Sequence, residues 1–329
     1  MYRHKRRKIC LLLLTLLFLC TTFGCGVTDN NELKFNTTYN NGAETTGKKF
    51  VVHFLSVGDG NCTFIKFPDC KTMLIDCGNT DKKDELNGLL KNYSNKIDYL
   101  VLSHPDIDHI GNGKSVVSEN EIKTCFVPYI INPSLFPFYS EIYNTLTDKC
   151  EDIRVSSEFK RIDESDYSFM FLYPENEKDP FGKYAEFNRL SEPTESDVDA
   201  LCPIIYLECF GISFLLFSDD TSDMEKKIVE NYKVGFYEGL LDREINLNNI
   251  DFLLVPNHGG NRGTTQELLE VIKPKNAIIS VGLDSLKNNP SSHVIERLNT
   301  YCEKIYRTDI CGTITVSADD INYSVHTLV

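Results

Sequence analysis

Residues 103–111 read Ser-His-Pro-Asp-Ile-Asp-His-Ile-Gly. Four potential metal ligands lie within six of these residues, namely His104, Asp106, Asp108 and His109. The apolar run Tyr99–Leu102 comes directly before them and predicts a buried strand, so the ligands begin where a rigid element gives way to a loop. Burying several such groups without a cation would carry a heavy desolvation cost. The segment therefore predicts a metal centre.

The spacing within this segment indicates one or two metal ions. Residues two apart in an extended loop project to the same side, so His104 and Asp106 can share a metal. Asp108 and His109 are adjacent and must diverge, so they can serve a second metal nearby. We expect one or two divalent cations.

Strand and helix patterns alternate from Phe50 to the carboxy terminus. Predicted strands cover Phe50–Ser56, Thr63–Phe67, Met73–Asp76, Ile97–Ser103, Lys123–Ile131, Ile204–Cys209, Ser213–Ser218, Asp251–Pro256, Asn276–Val281, Gly312–Ser317 and Asn322–Thr327. Predicted helices cover Lys82–Tyr93, Phe138–Ile153, Ser222–Tyr232, Thr265–Ile272 and His293–Lys304. Many strands with interleaved helices predict a layered α/β domain over residues 50–329.

The segment at residues 103–111 resembles the H-x-H-x-D-H signature of the metallo-β-lactamase superfamily. It is more similar still to the S-H-P-D-x-D-H-x-G variant in the hydrolase domain of DNA-uptake competence proteins (ComEC-like). Further segments agree in order with that group: Val57-Gly-Asp-Gly-Asn61, Leu74-Ile-Asp-Cys-Gly78, Leu215-Leu-Phe-Ser-Asp-Asp220, and Tyr306-Arg-Thr-Asp309 with Gly312-Thr-Ile-Thr-Val316. The resemblance implies a four-layered αββα metallo-β-lactamase sandwich.

The resemblance also implies roles for individual residues. His104 and Asp106 would bind metal 1, and Asp108 and His109 would bind metal 2. Asp220 would bridge both metals, and His258 would supply a late histidine ligand. Asp76 would orient a ligand histidine from behind, or would be a turn residue at the end of a strand. Asp219 is interpreted as a turn residue beside Asp220.

Two asparagines depart from the family pattern. Asn257 stands where a histidine pair usually begins, and Asn289 stands near a position often held by histidine. We group both with Asp76 as residues behind the ligands. The ligand set is therefore poor in histidine and rich in oxygen, which favours Mn²⁺, Mg²⁺ or Fe²⁺ more than an all-histidine Zn²⁺ site would.

These features predict a metal-dependent hydrolase in which a metal-bound hydroxide attacks phosphoesters or phosphodiesters. Asp108 is the candidate proton shuttle, and His258 or Arg262 is the candidate to bind a substrate oxygen. Lactam or thioester hydrolysis is an alternative within the same class. Another class is a catalytically degraded binding module, or an accessory partner of a DNA-uptake system, as the two asparagines allow.

Charge argues against non-specific nucleic-acid binding. The chain of 329 residues has a net charge of −14, and beyond residue 24 it has 29 basic against 48 acidic residues. Such a surface repels polyanions, whose non-specific binding depends on many Lys and Arg contacts to phosphate. A small-molecule or phosphodiester substrate is expected instead.

The amino terminus has the pattern of an export signal. Five Arg or Lys residues precede the apolar run Ile9–Phe23, and Thr22-Phe-Gly-Cys25 resembles a lipobox. Residues 1–25 are predicted to be a signal peptide with Cys25 as the lipidation site, followed by a flexible Asn/Thr-rich spacer at 26–49. We expect a lipoprotein on the outer face of the bacterial cell membrane. An uncleaved anchor helix and plain secretion are the alternatives.

The segment Glu175–Val198 is polar and interrupted by Pro180 and Pro193. It predicts a long surface loop that is either a lid over the site or an insertion.

Overall fold

A computed structural model of the chain describes residues 35–38, 47–93, 95–157, 160–237, 245–283, 285 and 287–328. The chain divides into residues 1–33 and a compact unit at 34–329. The predicted signal peptide and Cys25 lie outside the described residues. Among the helices that are described, none has the length and hydropathy needed to cross a membrane.

The strands are β1 Phe35–Thr38, β2 Phe50–Phe54, β3 Thr63–Lys66, β4 Thr72–Ile75, β5 Lys96–Val101, β6 Glu121–Val127, β7 Asp152–Val155, β8 Arg161–Asp163, β9 Tyr167–Tyr173, β10 Ile204–Cys209, β11 Ile212–Leu216, β12 Phe252–Leu254, β13 Asn276–Ile279, β14 Lys304–Arg307, β15 Ile314–Ala318 and β16 Asn322–Thr327. Within the described residues they form two sheets. The first has the order β1-β16-β15-β2-β3-β4-β5-β6-β7, and the second β14-β13-β12-β11-β10-β9-β8.

The helices are α1 Lys83–Lys91, α2 Ile107–Ile110, α3 Gly113–Glu119, α4 Pro137–Lys149, α5 Lys183–Phe187, α6 Glu195–Asp199, α7 Ser222–Lys233, α8 Gln266–Ile272, α9 Ser292–Tyr301 and α10 Thr308–Cys311. The helices α1, α3 and α4 place apolar side chains in one cluster with the outer face of the first sheet. The helices α7, α8 and α9 do the same on the second sheet.

The main core lies between the two sheets and follows from the alternation of side chains along each strand. In β2, Phe50, Val52 and Phe54 are buried in this core, whereas Val51 and His53 are only partly buried. Each fully buried large apolar side chain contributes roughly 1.5–3 kcal/mol. With helices on both outer faces, the layers run helix, sheet, sheet, helix, and the predicted αββα sandwich is confirmed.

Parallel strands bring the chemistry to one edge of each sheet. In the first sheet β4 and β5 are parallel, and in the second β11 and β12 are parallel. The segments that follow these four strands carry the polar residues of the site: Asp76, Ser103–His109, Ser218–Asp220 and Pro256–His258. This is the carboxyl end of the strands, where ligands bind in open α/β sheets.

Two segments differ from the sequence interpretation. The strand β1 pairs with β16 and lies inside the predicted spacer, so the first sheet begins before the predicted domain boundary at residue 50. The polar segment 175–198 is not a plain loop, since it contains α5 and most of α6. Its buried side chains Tyr184, Phe187 and Val198 form a small apolar cluster with Leu201.

Candidate metal centre

The ligand segment changes direction sharply after β5. Asp106 has extended backbone angles and precedes α2, a single helical turn that carries Asp108 and His109. Gly60 packs on this turn so closely that a Cβ there would lie 2.2 Å from the carbonyl oxygen of Asp108. The loop at 57–61 therefore needs glycine at residue 60 to hold Asp108 in place.

Potential ligand atoms converge in three overlapping groups, each with its atoms within 4.8 Å of one another. The groups are His104 with Asp106 and Asp199, His104 with His109 and Asp219, and Asp108 with His109 and His258. Because His104 and His109 are shared, the groups form one continuous cluster. The structure therefore brings together five of the six predicted ligands, all except Asp220.

Asp219 lies at the centre of this cluster. Its Oδ1 is 3.1 Å from Nε2 of His109 and 3.3 Å from Nε2 of His258. These three atoms and Nε2 of His104 are buried, and none of them has a hydrogen-bond partner among the described residues. Buried polar atoms without partners are rare in proteins, and a convergent set of imidazole and carboxylate atoms suits a divalent cation. The residues present therefore fit a metal ion.

Asp76 holds the ligand histidine from behind, as one of the two sequence interpretations expected. Its Oδ2 accepts a hydrogen bond of 2.9 Å from Nδ1 of His109, which leaves Nε2 of His109 free for a cation. The same oxygen accepts from the hydroxyl of Ser103 at 2.7 Å, and Oδ1 accepts from the Ser103 backbone N–H at 2.8 Å. Asp76 thus fixes both the ring and the start of the ligand segment.

His258 is fixed in a comparable way by the backbone. Its Nδ1 donates a hydrogen bond of 2.9 Å to the carbonyl oxygen of Ser280, so Nε2 faces the cluster. The hydroxyl of Ser280 donates in turn to the carbonyl oxygen of Gly60 at 2.8 Å. His258 itself has a positive φ of 53°, an uncommon conformation that this turn imposes.

The bridging role of Asp220 stays a prediction, since its Oδ1 is buried and has no hydrogen-bond partner among the described residues. Oδ2 of Asp220 accepts a hydrogen bond of 2.8 Å from the backbone N–H of Ser218, and no candidate ligand group includes Asp220. Asp219, interpreted from sequence as a turn residue, occupies the central place instead. The two are adjacent, so their side chains diverge and only one can face the histidines.

Electrostatics separate the two aspartates further. Although burial alone would raise it, His258 and His109 hold the pKa of Asp219 well below its ordinary value. Burial raises the pKa of Asp220 well above its ordinary value. Burial opposes protonation of His109, yet the carboxylates of Asp219 and Asp76 raise its pKa well above the ordinary value. Asp219 therefore favours its ionised form, whereas Asp220 favours its protonated form.

Sequence reasoning also missed Asp199, the last residue of α6. It is buried, and burial raises its pKa to about 6. It lies 95 residues from His104 in sequence and carries no local motif, so only the structure shows that it joins the cluster. For Asp219, the signal was present but ambiguous, because either of two adjacent aspartates can end the segment at 215–220.

The two asparagines brace the loop that carries His258. The backbone N–H of Asn257 donates to the carbonyl oxygen of Ser218 at 2.8 Å, which ties this loop to the segment of Asp219. The amide of Asn289 donates to the carbonyl oxygen of Asn257 at 3.4 Å. The side-chain nitrogen of Asn257 is buried without a partner.

Comparison with known proteins agrees with this geometry. The sequence pattern of the metallo-beta-lactamase superfamily matches residues 55–146, which include the ligand segment. The chain is 24% identical over 286 residues to ComE operon protein 3 of Bacillus subtilis (strain 168), covering 80% of this chain and 32% of that protein. It is also 24% identical over 271 residues to Recombination protein 2 of Haemophilus influenzae (strain ATCC 51907 / DSM 11121 / KW20 / Rd), covering 81% and 28% respectively. The resemblance inferred from the motifs is confirmed.

The chain spans about a third of the length of the curated relatives it matches. Among solved structures, it is similar to the metallo-beta-lactamase fold protein YhfI from Bacillus subtilis, with a TM-score of 0.49 and 10% identity over 82% of this chain and all of that one. It is also similar to a diphosphatase from the PhnP family, with a TM-score of 0.42 and 12% identity over 79% of this chain and 96% of that one.

Proposed function

We propose that this protein is a metal-dependent hydrolase that cleaves phosphoesters or phosphodiesters. One observation carries the proposal: Oδ1 of Asp219 lies 3.1 Å from Nε2 of His109 and 3.3 Å from Nε2 of His258, and all three atoms are buried, with no other hydrogen-bond partner among the described residues. Two imidazole nitrogens that converge on one buried carboxylate oxygen form a donor set that suits a divalent cation.

The residues divide into two ligand sets that share Asp219. His104 and Asp106 would hold one cation, and Asp108, His109 and His258 would hold the other. Carboxylates supply much of this set, which suits Mn²⁺, Mg²⁺ or Fe²⁺ as well as Zn²⁺. When bound, such ions supply Lewis acidity and a nucleophile at neutral pH.

Asp108 is the proposed proton carrier. Its Oδ2 lies 3.9 Å from Nε2 of His109 and 3.7 Å from Nε2 of His258, and its side chain is 28% exposed. Asp108, like Asp106, is a partly exposed member of an otherwise buried set, and so it can pass a proton between the ligand atoms and solvent. The hydrogen bond to the carbonyl oxygen of Ser280 fixes the ring of His258, so its Nε2 stays directed at the cluster as a ligand atom.

An oxygen-rich site and the charge of the chain together favour a small phosphorylated substrate. Paired divalent cations suit in-line displacement at phosphorus, where they stabilise the entering and leaving oxygens. Arg262 and Lys287 lie at the rim, joined through Glu195. The net charge of −14 disfavours non-specific binding of long nucleic acids, so we propose a compact substrate.

A second candidate function is a binding module that holds metal without turnover. The observation that favours it is Asn257, which stands where the family pattern has a histidine and whose side-chain nitrogen is buried without a partner. In this interpretation the same residues bind a metal ion and, through it, a small molecule, and no bond is cleaved.

The test compares reaction classes on one preparation. Metal-stripped full-length protein would be reconstituted with Mn²⁺ or Zn²⁺ and assayed on bis-p-nitrophenyl phosphate, p-nitrophenyl acetate and a chromogenic β-lactam. The proposal expects metal-dependent hydrolysis of the phosphodiester above that of the other two. Bound metal with no hydrolysis of any substrate would favour the binding module.

We also propose export and attachment to the outer face of the cell membrane through Cys25. The charged start, the apolar run and the lipobox-like Thr22–Cys25 support this. Labelling with radioactive palmitate should mark the wild-type protein and the variant Cys20→Ala, but not Cys25→Ala. Equal labelling of Cys25→Ala would contradict the proposal.

A further inference from the structure

Asp199 is a buried carboxylate that the superfamily motifs quoted above leave without a role. It ends α6, and its side chain is only 1% exposed. Its Oδ2 accepts a hydrogen bond of 2.6 Å from Nη1 of Arg262, whereas its Oδ1 is buried and has no hydrogen-bond partner in the part of the chain that the structure describes. One oxygen is therefore held in place and the other is available.

The carboxylate of Asp199 belongs to the metal cluster. A carboxylate oxygen of Asp199 lies within 4.8 Å of the ligand atoms of His104 and Asp106. Nε2 of His104 is also buried without a partner, so two unsatisfied atoms from separate parts of the chain converge here. The Asp199 carboxylate lies close to the acidic Asp106 and Asp219. It therefore needs a positive charge near its partnerless oxygen as well as near the oxygen that pairs with Arg262.

Arg262 is well placed to set the direction of Asp199. It follows His258 by four residues, and its backbone carbonyl oxygen accepts a hydrogen bond of 2.8 Å from the N–H of Ser222 at the start of α7. Its Nη2 reaches Glu195 on the same short helix as Asp199, at 3.4 Å. The planar guanidinium therefore pairs with two acidic residues of α6 from a loop that is itself held in place.

We propose that Asp199 is a ligand of the first metal, beside His104 and Asp106, and that Arg262 is the positioning residue that holds its carboxylate toward that metal. The inference rests on the metal-dependent site proposed above. It adds a carboxylate ligand from the segment after β9 and makes the site richer in oxygen. It also couples the placement of that segment to metal binding.

The experiment titrates Mn²⁺ into metal-stripped full-length protein by calorimetry and counts metal per chain by mass spectrometry. Asp199→Asn should weaken Mn²⁺ binding about tenfold or more and reduce the retained metal. Arg262→Gln should weaken binding in the same direction by a smaller factor, and Arg262→Lys should recover part of it. Glu195→Gln is the matched control, because it removes a carboxylate that pairs with Arg262 but belongs to none of the candidate ligand groups.

Circular dichroism and the unfolding temperature of each metal-stripped variant show whether it folds. If Asp199→Asn does not fold, Arg262→Lys decides, because it keeps a positive charge beside the buried Asp199 carboxylate while removing the planar guanidinium that positions it. Wild-type affinity in Asp199→Asn, or equal weakening in Glu195→Gln, would overturn the inference while leaving the hydrolase proposal intact. A wild-type protein that binds no metal would overturn both.

Discussion

Oδ2 of Asp76 accepts a hydrogen bond of 2.9 Å from Nδ1 of His109. This contact fixes the ring with Nε2 toward the cluster, as partners behind metal-binding histidines do. Asp76→Asn should weaken metal binding by about 10–100-fold, measured by calorimetry with Mn²⁺ and Zn²⁺. Asp98→Asn is the control, because Asp98 is a buried carboxylate that accepts from the backbone of Thr72 away from the site. Equal losses in both variants would mean that Asp76 acts on stability alone.

The fit of the loop at 57–61 against α2 gives a second prediction. Gly60→Ala would place a Cβ 2.2 Å from the carbonyl oxygen of Asp108, so we expect a loss of about 1–3 kcal/mol in the free energy of unfolding and weaker metal binding. Gly88→Ala in α1 meets open space and should instead stabilise by about 0.5–1 kcal/mol. Urea unfolding measures both, and a Gly60→Ala protein as stable as wild type would contradict the packing described.

Glu225 anchors the loop that follows Arg262. Its carboxylate is buried and accepts hydrogen bonds from the backbone N–H groups of Thr264 and Thr265. Glu225→Gln replaces one carboxylate oxygen with an amide NH2 group, which would face a backbone N–H and could not accept its hydrogen bond. The free energy of unfolding should therefore fall by about 1–3 kcal/mol. Glu230→Gln, on the exposed side of the same helix, should change it by less than about 0.5 kcal/mol. Similar unfolding curves for the two variants would be inconsistent with this anchor.

His53 predicts a loss of stability in acid. Burial lowers its pKa from 6.5 to about 4, and both ring nitrogens are hydrogen-bonded, to Thr315 and Tyr93. Because the unfolded chain binds the proton more tightly, stability falls as the pH drops from 6.5 toward 4. In His53→Gln the free energy of unfolding should decrease by roughly 1–3 kcal/mol less than in the wild type as the pH drops. His293→Gln, at an exposed residue, should behave like the wild type. Urea unfolding at pH 7 and pH 4.5 tests this, and an unchanged pH dependence in His53→Gln would refute it.

The ligand segment was predictable because its signals are local. An apolar run followed by four ligand types within six residues indicates a strand end and a metal site, and Asp76 follows the neighbouring strand in the same way. Parallel strands then bring these two ends together. The order of motifs along the chain was enough to predict the αββα sandwich.

The sequence assigned the central ligand role to Asp220, whereas Asp219 faces the histidines in the structure. Local sequence patterns could not decide between these two adjacent residues. Phe214 and Leu216 face the core between the sheets, whereas Leu215 and Phe217 face the helices. After Phe217 the chain has left β11, so alternation no longer says which way a side chain points. A local hydrogen bond from the backbone N–H of Ser218 turns Asp220 away, and the histidines that Asp219 faces come from distant segments of the chain, so the choice between the two depends on tertiary contacts.

Some elements were missed for similar reasons. All seven residues of β9 are buried, so this strand has no alternation to separate it from a buried helix. The helix predicted over 138–153 ends at Lys149 in the structure. Asp152 and Ile153 belong instead to the edge strand β7, which pairs with β6. That pairing depends on a partner 28 residues away, which overrides the local pattern.

The measurement that tests the central claim most directly is metal content and phosphodiester hydrolysis of the full-length protein, with Asp219→Asn and Asp220→Asn side by side. The account predicts one to two metals per chain and hydrolysis of bis-p-nitrophenyl phosphate in the wild type. Asp219→Asn should bind less metal, and its rate of phosphodiester hydrolysis should fall by more than about a hundredfold. That is a larger loss than removal of a residue behind the ligands usually causes. Asp220→Asn should keep its metal, because Asp220 belongs to no candidate ligand group. Full metal and activity in Asp219→Asn, or a wild type without metal, would contradict the account.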